Sequence, residues 1–319
     1  MSPLRRACLL GPLAVLAGCT TWRAERDGVV LKPNPTLDHV LRGLAEGDQA
    51  PWAQVSALAI RQSKVVFRGG YGRRYIHPHD RTRDLPVNDR TMFRVASISK
   101  LVVSVAVMRL VDQGLLDVDE DVSDRLGWLF RHPDHPKQVI SLRLLMTHRS
   151  GLSDAGSYVW GPDVALRDVL HPEGMLFRGG LSWRRHRIPG TWFNYVNLNW
   201  GVVGTVMERA TRERFDRLMS QVVLQPLGLR GGFLPSEFSP DEAHDLATLY
   251  RKRRMDGDRE IWEGAGPWHA QADDHRPAMP AAPEGLERYV PGTNATLFSP
   301  QGGLRISSRD LGVLMQMLI

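Results

Sequence analysis

Residues 101–110 read Leu-Val-Val-Ser-Val-Ala-Val-Met-Arg-Leu, apolar at nearly every position. A run without a polar face predicts a helix buried on every side, and Gly114 marks its end. Residues 202–210 predict a second buried helix, and Leu37 to Leu44 opens an earlier one. Two β-rich runs, at residues 55–60 and 65–71, predict strands joined by a turn at 61–64. Residues 72–89 are rich in Arg, Asp, Pro and His and read as a loop. Residues 237–282 read as mostly irregular, with one strand at 247–250. A turn at 300–307 leads into a last helix, 308–319. No internal repeat or low-complexity tract interrupts this order.

The chain has 319 residues, 42% of them hydrophobic, enough for one large globular domain or two interleaved ones. Its formal charge is +6; without Arg5 and Arg6 of the leader it falls to near +4. The cluster Arg251-Lys252-Arg253-Arg254 reads as a solvated basic loop. No helix-turn-helix, finger or RNA-binding signature accompanies it, so no nucleic-acid partner is expected. His77, Pro78, His79 and Asp80 resemble part of a zinc hydrolase motif, but Arg81 stands where an acid would be needed. His132 and His135 read as solvated, and residues 117–121 as an acidic surface turn. No metal and no cofactor are expected.

The first 19 residues read as a secretory leader. Arg5 and Arg6 form its positive start, and residues 9–16 are apolar but too short to span a bilayer. Leu16-Ala17-Gly18-Cys19 resembles a bacterial lipobox, which implies lipid attachment at Cys19. Thr20 after the cysteine leans toward the outer membrane, with the protein facing the periplasm. Residues 20–36 read as a polar tether. The other cysteine, Cys8, lies inside the leader, so the mature chain has no disulfide.

The candidate chemistry lies at the start of the apolar helix, in Ser97-Ile98-Ser99-Lys100. Residues three apart on a helix share a face, so the Lys100 stem can reach the Ser97 hydroxyl. A serine needs an adjacent base to become a nucleophile. Burial of Lys100 predicts a pKa lowered toward the useful range for such a base. A helix N-terminus favours a developing oxyanion.

Five short motifs then fall in one order: S-I-S-K at 97–100, M-T-H-R-S-G-L at 146–152, Y-V-N at 195–197, P-L-G-L at 226–229 and G-G-L-R-I-S at 302–307. Together they resemble the serine β-lactamase-like hydrolases, a superfamily of class C β-lactamases, penicillin-binding carboxypeptidases, esterases and peptidases. The S-x-x-K logic is shared with other penicillin-interacting enzymes, and Y-x-N points to the class C branch. The resemblance implies that Ser97 is acylated and that Lys100 shares its proton and orients it. It further implies that Tyr195 is the partner base or acid and that Asn197 binds the substrate amide and holds Lys100. The Ser97 N–H would form half of an oxyanion hole.

The implied fold is α/β (α+β), β-lactamase/transpeptidase-like. It has a mixed antiparallel sheet made from the two ends of the chain, flanking helices, and a largely helical region inserted at about residues 100–245. The domain is expected to run over 37–319. The implied function is acyl-enzyme hydrolysis of a β-lactam, a D-alanyl peptide or a small ester. An inactive fold that binds wall peptide or a protein partner is the alternative. A monomer is expected. The third motif of the superfamily, K-T-G or H-x-G, would follow the last helix, so an incomplete sheet, exposed on one side, is also expected.

Overall fold

The computed structural model describes residues 34–46, 51–257, 259–262, 268–271 and 280–319. The leader with Cys19, and all of the expected tether before Asn34, lie outside the described residues. The remaining tether positions belong to a helix. Asn34 accepts a hydrogen bond from the Leu37 N–H and caps α1 (Pro35–Ala45), with proline in its first turn.

The strands β1 (Gln54–Arg61) and β2 (Lys64–Tyr75) pair antiparallel. Gln62 and Ser63 between them both have positive φ, 50° and 57°, the turn that matches the twist of a hairpin. The expected loop at 72–89 is shorter than the sequence suggested. β2 continues to Tyr75 because β3 (Leu85–Pro86) pairs with its end. The sheet order is β1-β2-β3. Tyr71 donates to Asp38 at 2.7 Å and so fastens α1 to β2.

A second, two-stranded sheet brings the ends of the chain together. In it β4 (Met92–Arg94) pairs with β8 (Arg305–Ser307), and α9 (Ser308–Leu318) follows at once. α9 lies on β1, where the Ser56 and Ser308 hydroxyls meet at 2.6 Å. Among the described residues β1 is an edge strand, and all but its last residue are half-buried.

Between β4 and β8 the chain is largely helical. α2 (Ser99–Asp112), α3 (Val122–Leu126), α4 (Leu142–Met146), α5 (Leu166–Leu170), α6 (Leu198–Thr211) and α7 (Phe215–Met219) all contribute to one apolar cluster. Val103, Val107 and Leu110 of α2 are buried there with Leu142, Val203, Phe215 and Ile306. The expectation that α2 is buried all round is not met. Leu101 and Met108, two turns apart on one stripe, remain 44% and 48% exposed. α6 is the element buried along its length, from Leu198 to Glu208.

The described residues within 237–282 also hold more regular elements than the sequence suggested. Ser239 and Glu242 form a capping box for α8 (Pro240–Asp245). The strand expected at 247–250 instead begins at Tyr250. It is β5 (Tyr250–Asp256), flanked by β6 (Arg259–Trp262) and β7 (Trp268–Ala270). Residues 247–249 belong to no strand; Ala247 N–H donates to the Met92 carbonyl and Thr248 N–H to the Arg74 carbonyl.

One buried carboxylate ties α6 to its neighbours. Glu208 accepts hydrogen bonds from the Tyr289 hydroxyl (2.5 Å), the Gly292 N–H (2.7 Å) and the Phe215 N–H (2.8 Å). Burial outweighs these donors and pushes its pKa from the ordinary 4.5 to about 7. Between those values the folded state holds a proton that the unfolded state has released. Stability is therefore lost as pH rises through that window, by about 3 kcal/mol. Denaturant unfolding at pH 5 and pH 7.5 should show the loss, and Glu208→Gln should flatten it. Equal pH dependence in the two proteins would contradict this account.

Candidate active site

The chain enters the site through a short 3-10 turn, Ala96–Ile98, ahead of α2. Ser97 is thus not on the α-helix itself but on the turn that leads into it. Ala96 takes a positive φ of 45°, a conformation a non-glycine residue adopts at some cost. The segment is fixed by a backbone rail on the other side: Val95 N–H donates to the Leu304 carbonyl, and Leu304 N–H to the buried Ser99 hydroxyl. Ser97 stays exposed while Ser99 and Lys100 are buried.

Lys100 is the centre of the cluster. Its Nζ donates to Ser97 Oγ at 2.9 Å, to Asn197 Oδ1 at 3.0 Å and to the Gln301 carbonyl at 2.8 Å. Three acceptors match the full donor capacity of an ammonium. Tyr195 OH lies 2.8 Å from the same Ser97 Oγ, and Nζ lies 5.0 Å from the Tyr195 ring centre. Ser97, Lys100, Tyr195 and Asn197 therefore meet, from positions nearly a hundred residues apart. Cys19 lies outside the described residues.

Burial raises the Tyr195 phenol. The nearby Lys100 ammonium and the Ser97 hydroxyl outweigh that effect, so the phenol sits below its ordinary value of 10.0.

Three further groups complete the site. His148 stacks on Tyr195, ring centres 4.4 Å apart at 25°. Its Nδ1 accepts from the Val196 N–H at 3.1 Å, which leaves the other nitrogen to carry the proton. Burial and the Lys100 charge both lower its pKa, so it is a neutral imidazole at neutral pH. Asp154 accepts from Asn197 and Leu198 at the start of α6. The Gln301 carbonyl is placed by the 3-10 turn Ala295–Phe298, against which α6 packs so closely that a Cβ on Gly201 would meet Thr296 Cγ2 at 2.3 Å. The M-T-H-R-S-G-L stretch signalled His148, but sequence reasoning gave it no role and missed Asp154 and Gln301.

Chemically, the cluster pairs an exposed hydroxyl with a phenol of lowered pKa and a fixed cation. It can move the Ser97 proton onto Tyr195 while the negative charge stays beside Lys100.

The family model described as Beta-lactamase matches residues 40–318. Esterase EstB of Burkholderia gladioli is 32% identical over 197 residues, covering 57% of this chain and 47% of its own. The chain thus spans about half the length of that relative. Two solved structures share the fold. One is the octameric penicillin-binding protein homologue from Pyrococcus abyssi, with TM-score 0.60 and 20% identity over 88% of this chain and 54% of its own. The other is a class C beta lactamase from Rhodobacter sphaeroides, with TM-score 0.55 and 18% identity over 83% and 60%.

The dependence of Tyr195 on the neighbouring cation can be read directly. In a chain carrying [13Cζ]tyrosine, Lys100→Met should move the Tyr195 titration midpoint upward. An unmoved midpoint would show that Lys100 does not control the phenol.

Proposed function

The chain belongs to the beta-lactamase family, and from that premise we propose that it is a serine hydrolase working through an acyl-enzyme on Ser97. The observation that carries the reading is the shared hydrogen bonding of Ser97 Oγ by Tyr195 and Lys100, at 2.8 and 2.9 Å. In this reading Tyr195, as phenolate, takes the Ser97 proton as Oγ attacks the substrate carbonyl. The tetrahedral oxyanion forms near the Ser97 N–H, at the open end of the 3-10 turn. Tyr195 OH then gives the proton to the leaving group, and the acyl-serine remains. Water, deprotonated by the same phenolate, attacks that ester; the acyl–Oγ bond breaks, Tyr195 returns the proton to Ser97 Oγ, and the acid leaves.

In this reading Lys100 acts as a fixed cation rather than as a base. With Nζ donating to three oxygens it has no lone pair left to accept a proton, and it serves as the charge that favours ionisation of Tyr195. Sharing of the Ser97 proton is therefore assigned to Tyr195. Asn197 holds Lys100 through Oδ1. Ester substrates come first, because the esterase named above has the higher identity; β-lactams and D-alanyl peptides follow from the shared fold. The lipobox-like leader ending at Cys19 supports placing the activity on a lipid-anchored protein facing the periplasm.

Turnover of a nitrophenyl ester and of nitrocefin tests the proposal. Ser97→Ala should abolish ester turnover, and Tyr195→Phe should lower it about a hundredfold or more. Activity should rise with pH as Tyr195 ionises. Full turnover by Ser97→Ala would refute the mechanism. Nitrocefin turnover exceeding that of the ester would reverse the substrate order.

A further inference from the structure

Asn197 is a neutral amide held between two groups that each allow one orientation only. Its Oδ1 faces the Lys100 ammonium at 3.0 Å, which can only donate. Its Nδ2 faces Asp154 Oδ2 at 3.1 Å, which as a carboxylate can only accept. The same carboxylate accepts from the Asn197 backbone N–H at 2.9 Å through Oδ2 and from the Leu198 N–H at 3.0 Å through Oδ1.

Both Asp154 oxygens are thus committed to the first turn of α6. The two backbone contacts are what any helix cap makes. The third, to the Asn197 side chain, is not needed to cap a helix. It fixes which end of the amide points at Lys100. A flipped Asn197 would turn an NH2 group toward the ammonium, two donors face to face, and Lys100 would lose one of the three oxygens that hold Nζ against Ser97.

We propose that Asp154 is a positioning residue for the reaction, acting through the Asn197 amide to keep Lys100 placed on Ser97 and Tyr195. The inference rests on the reading of Ser97 as the nucleophile. It does not make Asp154 a catalytic residue, since the carboxylate touches neither Ser97 nor Tyr195 in the hydrogen-bond network of the site.

Asp154→Asn is the informative change. It keeps size and shape but replaces one acceptor oxygen with an NH2 donor. A side-chain amide can donate as well as accept and carries no charge, so it no longer enforces a single orientation of the Asn197 amide. The account predicts that Asp154→Asn lowers the rate of Ser97 labelling by a fluorophosphonate about tenfold or more, with the melting temperature shifted by only a few degrees. It also predicts that the loss does not add to that of Asn197→Ala: the double variant should label no more slowly than Asn197→Ala alone. A cap that matters only for stability would move the melting temperature, leave labelling of the folded protein at the parent rate, and so overturn the proposal. Penalties that multiply in the double variant would overturn it too.

A second readout separates this proposal from the nucleophile reading. The Asn197 side-chain amide is observed by 1H–15N spectroscopy, assigned by its disappearance in Asn197→Ala. If the parent chain does not label at all, the assignment of Ser97 fails, and Asp154 is judged on this signal alone. A slowly exchanging Asn197 amide that shifts in Asp154→Asn supports its positioning role. A signal unchanged in Asp154→Asn refutes it.

Discussion

The site depends on how one buried ammonium is solvated. Lys100 enters the interior of a helical region, where an uncompensated charge is costly. Three oxygens meet it there, from the turn before α2, from the start of α6 and from the loop before β8. Each comes from a different part of the chain. Satisfying the cation therefore brings the Ser97 hydroxyl, the phenol-bearing segment and the C-terminal strand segment into register. The geometry of the proposed reaction and the electrostatics of the core are one constraint.

The surrounding packing makes that constraint rigid. α6 is buried over nearly its full length, carries Asn197 at its start, and presses Gly201 against Thr296 on the turn that leads to Gln301. Tyr195, by contrast, is about half exposed, with one face covered by the neutral His148 ring and the hydroxyl turned to Ser97. A rigid cation beneath an open hydroxyl and phenol is the arrangement an acyl-transfer site requires, since substrate must approach from solvent while the charge must not move.

Much of this was legible in the sequence, for identifiable reasons. The i, i+3 spacing of Ser97 and Lys100 encodes their contact, although the hydroxyl proved to sit on a 3-10 turn. The Y-V-N stretch marked Tyr195 and Asn197, and the two short apolar-rich runs at 55–60 and 65–71, separated by a polar turn, marked the β1–β2 hairpin. The Gln301 carbonyl was not legible, because a backbone acceptor carries no side-chain identity. Asp154 was not legible because its role appears only when residue 154 meets the start of α6, more than forty positions away. The exposed stripe of Leu101 and Met108 was missed for a related reason: composition reports how apolar a helix is, not which neighbours cover it. The β5–β7 sheet was missed because β5 is rich in Arg and its two partners are only four and three residues long.

The central claim is that this cluster turns Ser97 into a nucleophile. The most direct measurement is intact-mass spectrometry of the folded chain after incubation with a fluorophosphonate and, separately, a fluorescent penicillin, followed by peptide mapping. The account predicts one adduct, on the peptide containing Ser97, absent from Ser97→Ala. A folded chain that gains no mass from either probe, or gains it at another residue, would contradict it.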